Sequence, residues 1–133
     1  AASFNMVSAM LCRMHQSGHL AKLSTESMAQ VKTGIGVYKE AIRPHVPDSH
    51  PFYPLGFTDI TDSRSPIALG MRSSGRTFVA VWRLTGEEKV HVLKLADDLR
   101  ILYPTDLEIR AEREGDGWTL TFPRPHMACI LAT

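Results

Sequence analysis

Four sets of residues in this 133-residue chain have types and spacings that chemistry could use. Cys12, His15 and His19 stand at i, i+3 and i+7, which would put three zinc-type ligands on one helical face. Gly18 ends the helical pattern before His19 and no fourth ligand follows, so a hydrogen-bonding role at a helix end is expected and no metal is assigned. Glu108, Glu112, Glu114 and Asp116 suggest an acid–base pair, but they alternate with Arg110 and Arg113. Such a run reads as a solvated strand face that discourages edge pairing, with no pocket to shift a carboxyl pKa. Glu87 and Glu88 fall in a turn. Trp82 and Trp118 could stack on sugar rings, yet both lie in the apolar rows of their strands, so core is expected. Phe52 and Tyr53 either anchor a proline-rich stretch or rim a site on a neighbouring domain, and anchoring is the better reading. Nucleophile elbow, phosphate loop, dinucleotide fingerprint and zinc-protease motif are all absent. The residues on their own therefore assign no catalytic, cofactor-binding or metal site, leave substrate contacts unknown, and give no cofactor.

The elements that would position these residues change character midway. Phe4, Val7, Leu11 and Met14 recur at three and four, with Met6 and Met10 widening the stripe, so a helix is expected from Ala1 to Gln16. Ser24 offers an N-cap and Glu26 a first-turn carboxylate for a second helix. Met28, Val31, Ile35, Tyr38 and Ile42 carry it to about Arg43, where Pro44 ends it. Gly34 and Gly36 within it suggest close packing against another backbone. Residues 44–64, with Pro44, Pro47, Pro51 and Pro54, read as a stiff and largely extended linker lying along another surface.

From Ser65 onward the pattern is β. Ile67, Leu69 and Met71 share one face of a first arm, and Ser73-Ser74-Gly75 supplies a turn. In the second arm Phe78, Ala80, Trp82 and Leu84 point one way, into a core, with Thr77, Val79, Val81 and Arg83 opposite. Strands are expected at 90–95, 99–103, 107–112, 118–122 and 127–131, with a turn at Gly115-Asp116-Gly117. About seven short strands with turns at this spacing give a mainly β chain. The fold expected is an antiparallel β-sandwich over 65–133, preceded by two α-helices.

With 44% hydrophobic and 22% charged residues the composition is that of a soluble globular domain. A net charge of +1 gives no electrostatic reason to expect nucleic acid as a partner. No apolar run is long enough to span a bilayer, so no membrane partner is expected. Cys12 and Cys129 read as two reduced thiols of a cytoplasmic protein, since nothing in their spacing supports a disulfide. The chain opens without Met inside a helical pattern, as expected of a segment cut from a larger protein.

Several segments, read in order, resemble the C-terminal end of bacterial melibiase-type α-galactosidases, glycoside hydrolase family 36. They are MLCRMHQSGHL at 10–20, GIGVYKEAIRPHVPDSHPFYPLG at 34–56, IALGMR and FVAVWRL in the hairpin, RILYP at 100–104, and LTFPRPHMACILAT at 120–133. The resemblance implies that residues 1–43 end a (β/α)₈, or TIM-barrel, catalytic domain. Residues 44–64 would then cross over, and 65–133 would form the family's C-terminal sandwich. It implies retaining hydrolysis of terminal α-galactosides by two aspartates of the parent enzyme, about 5–5.5 Å apart in such enzymes. Both would lie upstream of this chain. Asp48, Asp59, Asp62, Asp97, Asp98, Asp106 and Asp116 match none of the family's catalytic motifs, so the segment alone is expected to be inactive. Its implied partners are the rest of the parent chain and, through it, the α-galactoside, with room for homo-oligomer contacts. The alternative is a stand-alone carbohydrate-binding or protein-interaction sandwich.

Overall fold

The strand from Arg76 to Arg83 is the hub of the architecture, because Phe78, Val79, Ala80 and Val81 are all 0% exposed. A strand whose two faces are both dry must lie in a middle layer. The computed structural model describes residues 2–92 and 94–133, and among these two α-helices precede eight strands. The helices are α1 (Ala2–Met10) and α2 (Thr25–Val37). The strands are β1 (His50–Phe52), β2 (Ile67–Ser73), β3 (Arg76–Arg83), β4 (Lys89–Val92), β5 (Arg100–Tyr103), β6 (Arg110–Glu114), β7 (Gly117–Thr121) and β8 (Met127–Ala132). They form a five-stranded antiparallel sheet ordered β1-β2-β3-β8-β5 and a three-stranded one ordered β4-β7-β6.

Alternation along β3 and β8 sends their side chains into two separate cores. Val79, Val81, Cys129 and Leu131 meet Val90, Val92, Trp118, Leu120 and Phe122 between the sheets. Phe78, Ala80, Ala128 and Ile130 meet Met6, Val7 and Met10 of α1, with Val31 and Ile42 behind them. The protein is thus mainly β, a two-sheet antiparallel sandwich whose larger sheet also carries the helices on its outer face. Phe78, Ala80 and Trp82 do share a face, as their alternation requires. That face meets the helices, and the valine row fills the sandwich.

Three further expectations need correction. The first helix stops at Met10 rather than Gln16, and the chain then runs without regular structure to a short 3-10 turn at Leu20–Lys22. Met14 still packs on the helix-side core from irregular backbone, and its N–H donates to Tyr38 Oη at 3.4 Å. The apolar spacing therefore outlasts the helix. Pro44 does not end the second helical stretch, which passes through a π-helical turn (Tyr38–Ile42) into a 3-10 helix (Arg43–Asp48). Proline is tolerated in the first turn of such a segment because its missing N–H would have no partner there. The proline-rich stretch is also not simply extended, since His50–Phe52 adds an edge strand to the large sheet. Pro51 fits there because an edge strand can spare a donor.

Phe52 anchors this strand. Its ring lies so close over Gly70 that a Cβ there would sit 2.2 Å from it, and Arg72 stacks on the ring at 4.0 Å. Tyr53 does not anchor: it stays exposed, its ring 4.5 Å from that of the exposed Phe57. Of the two helix glycines, Gly34 packs closely, against Met6 and Tyr103, whereas Gly36 faces open space. Cys129 is buried between the sheets and Cys12 is exposed on the helix side, so the large sheet separates these free thiols. No described helix is long and apolar enough to cross a membrane.

Candidate functional site

A concavity lies on the helix layer, where the end of α1, the irregular segment after it and the start of α2 border a cleft of about 570 Å³. The local sequence explains its shape. The helix stops at Met10, Cys12 N–H donates to Ala9 O at 3.4 Å, and Gly18 turns the chain back with φ of +106°. That angle suits glycine because it has no Cβ to clash. The short 3-10 turn closes with Lys22 N–H donating to His19 O (3.0 Å) and Leu23 N–H to Leu20 O (3.1 Å). Ser24 then caps α2, its Oγ accepting from Ser27 N–H at 3.1 Å.

Asn5, His15, Gln16, Ser17, His19 and Ser27 bring polar groups to this cleft. Met6, Leu20 and Val31 supply apolar wall. His15 and His19 thus do come to one site, but not as a metal set with Cys12. Among the described residues no group of three or more His, Cys, Asp or Glu side chains is placed to hold an ion.

The acidic residues of β6 behave differently from one another. Glu114 belongs to a cross-strand cluster on the outer face of the small sheet. The Thr119 hydroxyl donates to its carboxylate, and His91 Nδ1 lies 3.0 Å from Thr119 Oγ1 and 3.4 Å from Glu114 Oε2. The Thr119 hydrogen bond, helped by the nearby His91 and Lys89, holds the Glu114 carboxyl below its ordinary range. Sequence reasoning missed this cluster. Outward alternation marks His91 and Thr119 as surface residues, but only the pairing register sets them opposite each other. Glu112, Glu108 and Asp116 are exposed.

Aspartates elsewhere hold turns. Asp59 accepts from Thr61 Oγ1 (2.6 Å) and N–H (2.8 Å), and Asp62 from Ser65 Oγ (2.6 Å) and Arg64 N–H (2.9 Å). These bonds, the hydroxyl first in each case, lower both carboxyl pKa values. Asp97 pairs with Arg72 at 3.0 Å. Neither tryptophan offers an open platform. Trp118 is only 7% exposed, and Trp82 lies half-buried on the helix side with its Nε1 donating to Ser8 Oγ at 3.0 Å.

Fold and cleft together define the class: a mainly β, two-sheet domain with a helical layer that carries a hydrogen-bonding cleft. Comparison with family models, with curated proteins and with solved structures finds no match.

Proposed function

We propose that this chain is the C-terminal part of a melibiase-type α-galactosidase, a cytoplasmic retaining glycosidase, and that it serves the parent structurally. The observation that carries the reading is the ordered series of segments at 10–20, 34–56, 67–84, 100–104 and 120–133, spread over nearly the whole chain. The architecture agrees with it, since helices of the first 43 residues lie on an antiparallel sandwich. In this reading the helical layer joins the catalytic barrel, and the sandwich braces the barrel from outside. The nucleophile and the acid/base are aspartates of the upstream chain, so the segment contributes no catalytic group.

An aryl α-galactoside assay tests this. The full-length parent is expected to release the aryl alcohol with retention, and the 133-residue chain to release none. Full-length protein acting only on another glycoside overturns the substrate class, and an active segment overturns the accessory role.

A further inference from the structure

We propose that the cleft between α1 and α2 binds a neutral, polyhydroxylated ligand of monosaccharide to disaccharide size. Its volume, about 570 Å³, falls within the roughly 300–1,000 Å³ typical of small-molecule sites. Chemistry of the lining narrows the class. Among the described residues no carboxylate, ammonium or guanidinium lines the cleft, so a charged ligand would leave water with no permanent counter-charge to meet it.

What the cleft does offer suits hydroxyl groups. The amides of Asn5 and Gln16 each present a donor beside an acceptor, the pattern that adjacent hydroxyls can pair with. Each of His15 and His19 can donate from one ring nitrogen and accept at the other. Ser27 adds a hydroxyl at the first turn of α2. Among the described residues the backbone N–H and C=O groups of residues 15–17 make no hydrogen bond, so they too are free to meet a ligand. Leu20, half-buried, and Leu23, 39% exposed, provide an apolar patch for the C–H face of a ring. A purely apolar ligand would strand the polar rim, and among the described residues no set of metal ligands is placed here.

The choice of galactoside as first probe rests on the α-galactosidase reading; the class of ligand rests on the lining alone. The test is a titration of the 133-residue chain, followed by amide NMR, with methyl α-galactoside, methyl α-glucoside, galacturonate and galactosamine. Saturable shifts are expected at residues 5, 15–19 and 27 with the neutral glycosides, and weaker binding of both charged sugars. Gln16→Ala removes an exposed side chain and is expected to weaken binding about two- to tenfold, the worth of one hydrogen bond. Ser27→Met, which puts a larger apolar side chain in the lining, is expected to abolish it. Absence of saturable shifts, shifts centred elsewhere, or unchanged affinity in both variants with dispersed spectra overturns the proposal. Failure here alongside an active parent enzyme leaves the α-galactosidase reading standing. Equal binding of glucoside and galactoside keeps the cleft as a sugar site and withdraws its support from the galactoside.

Discussion

Tyr103 shows how one side chain ties the layers together. It ends β5 at the rim of the large sheet, is 1% exposed, and donates its hydroxyl to Gln30 O of α2 at 2.8 Å. Burial, with a smaller push from Asp106, raises its pKa to about 12 from the ordinary value near 10. Between those values the unfolded chain gives up a proton that the folded chain keeps, so stability falls as pH rises. The contribution is whole below about pH 10 and lost through about pH 12. Tyr103→Phe is expected to cost about 1–2 kcal/mol at pH 8 and to remove this part of the alkaline loss. Urea titrations of both proteins from pH 8 to 12 check it: the two stability curves should converge at the alkaline end, and a constant gap would refute the assignment.

At the scale of the element, β1 is the addition that sequence patterns hide. A three-residue strand containing Pro51 has neither the length nor the alternation of a strand signal, and its place is set by Phe52 lying over Gly70. Gly70→Ala would drive a methyl into that ring. The expected outcome is a loss of about 1–3 kcal/mol by overpacking, with β1 amides losing exchange protection while β3 amides keep theirs. Equal loss of protection in both strands would show that β1 is no separate unit.

Other elements were legible, and the reasons are physical. The β2–β3 hairpin, the Ser24 cap, the turn at Gly115 and the strands around Trp118 and Cys129 follow from alternation, capping chemistry and glycine. Which face of β3 meets which layer was not legible, because Phe78–Ala80 and Val79–Val81 are both apolar and periodicity cannot rank them. The cleft was half legible. His15 and His19 drew notice as ligands, but the segment holding them is irregular, and Asn5 and Ser27 join it only through the packing of α1 on α2.

For the molecule as a whole, two cores share one sheet, and each holds one tryptophan. Trp82 reports on the helix side and Trp118 on the space between the sheets. Since β3 and β8 contribute to both cores, neither should melt alone. Single-tryptophan variants, Trp82→Phe and Trp118→Phe, are expected to show fluorescence transitions in urea that coincide with the far-UV circular dichroism of the same variant. A helix-side transition preceding the other would show that the helical layer detaches as its own unit.

Asp97 gives the sandwich a mechanical character. Its carboxylate takes Arg72 at 3.0 Å and Thr77 at 3.3 Å from the large sheet. Its carbonyl takes Arg113 at 2.9 Å and Trp118 at 3.1 Å from the small one. One loop residue thus clasps both sheets at the end where β2 turns into β3. Prising the sheets apart from that end loads four hydrogen bonds together, whereas pulling at the opposite end works by leverage around a fixed pivot. Resistance to tension should therefore depend on the direction of pull, a property that comes from where a single aspartate sits rather than from the area the sheets bury.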